Sequence, residues 1–107
     1  MLNISTGKVV RVIFLAREYG PDSTHLHDYI AGLNEGEKAN LVALMWVGRD
    51  SFDASEFEEA KATARAEATA PTEEYLSGIP QLSDYLEAGL EAMEIDVTDA
   101  EDHLREH

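Results

Sequence analysis

The chain has 107 residues, 44% of them apolar, which is enough for one small core and too apolar for a disordered polymer. It contains no cysteine, so disulfides, thiol catalysis and thiolate-ligated zinc are excluded. Its net charge is −14 and one-sided: residues 1–49 hold five bases and five acids, residues 50–107 three bases and 17 acids, a balance that disfavours direct nucleic-acid binding.

Met1 to Thr6 is a short lead in which Ser5 or Thr6 can cap a helix. Lys8 to Tyr19 follows, apolar at Val9, Val10, Val12, Ile13, Phe14, Leu15 and Ala16, with Lys8, Arg11 and Glu18 on one helical face. Its β-branched residues suit a strand over Val9–Phe14, but no second strand signal exists to complete a ladder, so the segment reads as a helix with a mostly buried surface. Gly20-Pro21 stops it. Asp22 or Ser23 then caps a short amphipathic helix with Leu26, Tyr29, Ile30 and Leu33 on one side.

Asn34 with Glu37 three residues on is a capping-box start, and Gly48 is a natural stop. Between them Leu41 to Val47 is apolar at seven consecutive positions, so the last two turns are hydrophobic all round. Such a helix must be enclosed by several neighbours. Gly48-Arg49-Asp50-Ser51-Phe52 is a loop, after which Asp53 and Glu56 repeat the capping-box spacing. They open a third long helix that runs to about Thr69 with a stripe of Phe57, Ala60, Ala64 and Ala68. Pro71 breaks the chain, and Thr72 to Gly78 reads as an acidic turn or two of helix. Pro80 suits the first position of a last helix, in which Leu82, Tyr85, Leu86, Gly89, Leu90 and Met93 keep a clean helical period. The expected fold is therefore all-α: a compact orthogonal bundle of about five helices, two of them short, around a buried central helix. Residues 1–93 form the single domain, and 94–107 an acidic, loosely held tail.

Several runs resemble the bacterial domain-of-unknown-function 3775 family. They are Leu41 through Arg49 followed by Phe52-Asp53 and Phe57, Ala16-Arg17-Glu18, Leu33-Asn34-Glu35, and Glu74-Tyr75-Leu76 through Gly78-Ile79-Pro80 to Asp84-Tyr85-Leu86. The likeness spans roughly residues 4 to 93. It implies a small, mainly helical bacterial protein and carries no biochemical activity over.

Trp46-Val47-Gly48-Arg49-Asp50 is the richest local cluster. With Asp53 and Tyr85 it supplies an indole face, a guanidinium able to clamp a carboxylate, and carbonyls at a helix end. The plainer alternative makes Trp46 a core anchor and Arg49 a partner for the terminal carbonyls. His25 and His27 with Asp22 and Asp28 invite a metal, but on a helix positions two apart point about 200° away from each other. His103 and His107 share a face in the tail, yet no HExxH or Glu-x-x-His set is present, so no metal ligand and no cofactor is assigned. The serines lack a nucleophile-elbow context and the glycines are isolated, so no catalytic residue is assigned either. Tyr75, Tyr85 and Met93 are residue types suited to interfaces. The expectation is a non-catalytic protein-interaction or regulatory domain that takes a second copy or a basic protein as partner. The alternative is a small-molecule or metal-dependent activity at the Trp46–Asp53 corner or at His25/His27. No opening segment has signal-peptide character, and no apolar run approaches the roughly 20 residues of a membrane span, so a cytoplasmic protein off the membrane is expected.

Overall fold

The computed structural model describes residues 2–67 and 71–95. They form six α-helices: α1 (Thr6–Tyr19), α2 (Thr24–Ala31), α3 (Glu35–Gly48), α4 (Phe57–Ala66), α5 (Thr72–Ser77) and α6 (Leu82–Ala92). A 3-10 turn at Ala54–Glu56 precedes α4, and no strand occurs among the described residues.

The helix starts follow local chemistry. The Ser5 hydroxyl accepts from the Lys8 amide and the Ser23 hydroxyl from the Leu26 amide, each at 3.2 Å. At α3 the Asn34 side chain accepts from the Glu37 amide at 2.7 Å, while the Glu37 carboxylate accepts from the Asn34 amide at 3.1 Å. Each such cap contributes about 1 kcal/mol. Asp53 and Glu56 form the same box at the 3-10 turn. The valine-rich segment at Val9–Phe14 is helical despite its β-branched content, because α1 packs on α2 and α6 and that burial outweighs propensity.

Helix α3 is the centre of the bundle, with α4, α5 and α6 packed around it. Leu41, Val42, Ala43, Leu44, Met45 and Val47 are all buried. Trp46 is half-buried, so the enclosure of the apolar run is broken at one position. Fully burying one such Leu or Met contributes about 1.5–3 kcal/mol. Asn40 lies in the same buried helix, 1% exposed, and both ends of its amide are used. Its oxygen accepts from the Asn3 amide at 2.7 Å and its nitrogen donates to the Gly36 carbonyl at 2.8 Å, pinning the N-terminal lead to α3. The Lys8 ammonium pairs with Glu37, tying the start of α1 to the start of α3.

Several expectations need correction. Phe14 is 42% exposed, because α1 is covered on the α2 and α6 sides and Phe14 lies on neither. Pro80 does not open the last helix: α6 begins at Leu82, after a turn closed by the Leu82 amide on the Ile79 carbonyl at 3.1 Å. Asp53 opens a 3-10 turn before α4, and α4 ends at Ala66. The expectation for Ala68 and Thr69 falls outside the described residues, as do those for the tail from residue 96 and for His103 and His107. Gly48 belongs to α3 itself, and the chain reverses at Asp50, whose φ is +67°. Ser51 donates to the Trp46 carbonyl at 2.9 Å and Asp50 to the Val47 carbonyl at 3.1 Å, the Schellman pattern with aspartate in place of glycine. Helix α6 closes the same way on Glu94, φ +56°, through Ile95 to Leu90 at 2.9 Å and Glu94 to Glu91 at 3.0 Å.

Candidate functional site

The Schellman turn after α3 aims the chain so that three aromatic side chains gather beside it. Phe52 lies over Trp46 with ring centroids 5.7 Å apart and planes 24° from parallel. Trp46 donates its indole N–H to the Tyr75 hydroxyl of α5 at 3.0 Å. Trp46 and Phe52 are half-buried and Tyr75 is 38% exposed, so the cluster is a surface feature anchored where Trp46 and Phe52 pack against the core.

Of the five residues singled out from sequence, Trp46 is the only one whose side chain holds this cluster together. Arg49 is exposed and donates through Nε to the Ser51 hydroxyl at 3.0 Å, which braces the turn. It forms no ion pair among the described residues. Asp50 is exposed at the left-handed position, and Asp53 is exposed while its backbone amide is held by the Glu56 carboxylate at 2.8 Å. Tyr85 contributes its main chain: α6 passes so close to the end of α3 that a Cβ on Gly48 would fall 1.7 Å from the Tyr85 carbonyl oxygen. The Tyr85 hydroxyl instead meets Gln81, the residue just before its own helix, at 3.3 Å. Phe52 and Tyr75 are the site members that pattern reading placed elsewhere, Phe52 in a loop and Tyr75 among general interface residues. An aromatic two residues past the helix reversal was the available signal for Phe52. None existed for Tyr75, which is 29 positions from its partner.

The electrostatic setting is acidic. Asp50, Asp53, Glu56, Glu58 and Glu59 follow Trp46 closely in the chain and are all exposed, with Arg49 the one base among residues 46–60. The histidines are arranged differently. Both lie on α2, His25 against the Tyr19 ring at 4.2 Å and His27 beside Asp28 at 3.5 Å. Among the described residues no three His, Asp or Glu side chains converge as a metal set. Glu73 and Lys38 form a shielded pair between α5 and α3 at 3.6 Å, with side chains 16% and 14% exposed. The Glu73 carboxyl is held below the ordinary carboxylate range, by its own backbone amide first and by the Lys38 charge after burial is offset.

Residues 23–95 match the model of the family described as Protein of unknown function (DUF3775), from the cap of α2 to the closing turn of α6. The chain belongs to the DUF3775 family. Helix α1 precedes the matched span, whereas the whole aromatic corner of this DUF3775 protein lies within it. No curated protein and no solved structure matches the chain. No helix among the described residues is long and apolar enough to cross a membrane.

Proposed function

We propose that this DUF3775 protein is a non-catalytic interaction module whose Trp46–Phe52–Tyr75 corner receives a basic segment of another protein. The observation that carries this reading is the half-exposed aromatic trio, coupled by the 3.0 Å indole–phenol bond and the 5.7 Å ring stack. Aromatic clusters of this kind, rigid and only partly covered, are the groups that dominate protein interfaces. The carboxylates that follow in the chain set the sign of the partner. Asp50, Asp53 and Glu56 favour lysine and arginine on the approaching segment, and they speed its encounter at low salt.

The aromatic members supply affinity and the acids supply steering, so they separate in experiment. A Phe52→Ala/Tyr75→Ala double variant is compared with the parent protein for capture of partners from the native cell, with helicity and melting temperature measured alongside. The reading expects a partner retained by the parent and lost by the variant while the fold is intact. Equal capture by both proteins refutes it.

A further inference from the structure

A second exposed aromatic lies on the opposite kind of surface, and neither its residues nor its partner depend on the corner just described. On α1, Arg11, Phe14 and Glu18 are all exposed. At 100° per residue they fall within about 60° of arc, one stripe along the helix. Phe14 is 42% exposed, and Arg11 stands 6.0 Å over its ring. The two other cations of α1 are already engaged, Lys8 with Glu37 and Arg17 with Asp84 and Glu87. Neither Arg11 nor Glu18 forms an ion pair among the described residues.

The spacing of this stripe is self-complementary. Arg11 and Glu18 lie equally far on either side of the point between Phe14 and Leu15. A two-fold axis through that point, with two α1 helices antiparallel, sets Arg11 of each copy opposite Glu18 of the other and brings the two Phe14 rings together at the centre. An isologous contact requires this kind of match, since one patch must serve both sides. Charge favours the same face. Within the face the charge is balanced, one cation and one carboxylate per copy, with the nearby Asp84 and Glu87 of α6 paired to Arg17.

We propose that the Arg11–Phe14–Glu18 stripe of α1 is a self-association surface that takes a second copy of this chain in an antiparallel, two-fold pairing. At about 1.5 Å per residue the 14-residue helix is only about 21 Å long. One helix face of that length covers less than the roughly 800 Å² per partner of a stable interface. The dimer is therefore weak and depends on concentration.

Analytical ultracentrifugation over a concentration series tests this with charge reversals at exposed positions. The parent should pass from 11.8 kDa toward twice that mass as concentration rises. Arg11→Glu and Glu18→Arg should each weaken association by about tenfold, because each places two like-charged pairs across the axis. Mixed together, the two variants should associate again, since every pair across the axis is then opposite in sign. Phe14→Ala should stay monomeric with unchanged helicity. A parent that remains at 11.8 kDa throughout overturns the proposal. So does a dimer that neither reversal weakens, or a mixture that associates no better than the single variants.

Discussion

Gly48 of α3 and Gly89 of α6 meet where the two helices cross, each leaving room for the other's backbone. A Cβ on Gly48 would lie 2.9 Å from the Gly89 nitrogen and 1.7 Å from the Tyr85 carbonyl oxygen. A Cβ on Gly89 would lie 2.4 Å from the Leu44 carbonyl oxygen. The obstructing atoms are backbone on both sides, so no rotamer change relieves the overlap. This crossing sets α6 against the central helix and fixes the end of α3 from which the aromatic corner projects.

Gly48→Ala and Gly89→Ala should therefore each destabilise the fold by about 3 kcal/mol or more, by forcing the helices apart. Helix propensity alone predicts the opposite sign, a gain of about 1 kcal/mol per glycine removed. Gly7 is the control. It lies in the first turn of α1 with nothing within 4 Å of a Cβ, and Gly7→Ala should stabilise by about 0.5–1 kcal/mol. Urea denaturation of the three variants reads both signs.

The helix reversals at Asp50 and Glu94 hold non-glycine residues at φ +67° and +56°. A left-handed conformation costs an L-residue about 1–2 kcal/mol, less for aspartate, whose short side chain tolerates it. Glu94→Gly should accordingly stabilise by about 1 kcal/mol and Asp50→Gly by about 0.5 kcal/mol. Differential scanning calorimetry should show the larger rise in melting temperature for Glu94→Gly.

Lys38 is the counterion of Glu73, whose Oε1 is buried without a hydrogen bond and lies 3.6 Å from the Lys38 ammonium. Lys38→Met should leave that carboxylate uncompensated, raise its pKa and cost about 2 kcal/mol. The Lys38→Met/Glu73→Leu double variant should recover most of the loss, since an apolar pair needs no compensation. Equal urea midpoints for the single and double variants would show that the pair is not coupled.

Glu37 and Glu73 both titrate below the ordinary carboxylate range, Glu37 through the Lys8 side chain first and the Asn34 amide second, and Glu73 through its own amide first and Lys38 later. A carboxyl with a lowered folded pKa binds protons less readily than in the unfolded chain. Its contribution is complete above the unfolded value of about 4.3 and is lost as pH falls through the folded value. Stability should therefore drop on acidification below about pH 4.3, and Glu37→Gln should flatten that limb. Urea midpoints from about pH 7 to about pH 3 follow the slope.

Much of the fold was legible because its signals are local. The caps at Ser5, Ser23, Asn34 and Asp53 act within three residues, and the apolar run Leu41–Val47 demands enclosure wherever it is placed. What escaped depends on which helix comes to lie where. Gly48 reads as a stop, and only the passage of α6 reveals it as a contact point. Phe14 sits in an apolar run like its neighbours, and its exposure follows from α1 being covered on two sides only. In the candidate site Trp46 was legible, but its pairing with Tyr75 crosses 29 positions and needs α5 to fold back beside α3. Asp50 was noticed for its charge, whereas its backbone conformation is its clearest structural role.

Trp46 is the sole tryptophan, so its indole N–H gives a single, assignable NMR signal at the centre of the aromatic corner. Titration of the labelled protein with a lysine- and arginine-rich peptide carrying one large apolar residue reads that signal directly. A recognition corner predicts that the Trp46 indole and the Phe52 and Tyr75 amides shift first, saturate together, and respond less as salt is raised. Shifts spread over the acidic residues of α4 and α6 with the Trp46 indole unmoved would contradict it, leaving the trio as packing alone.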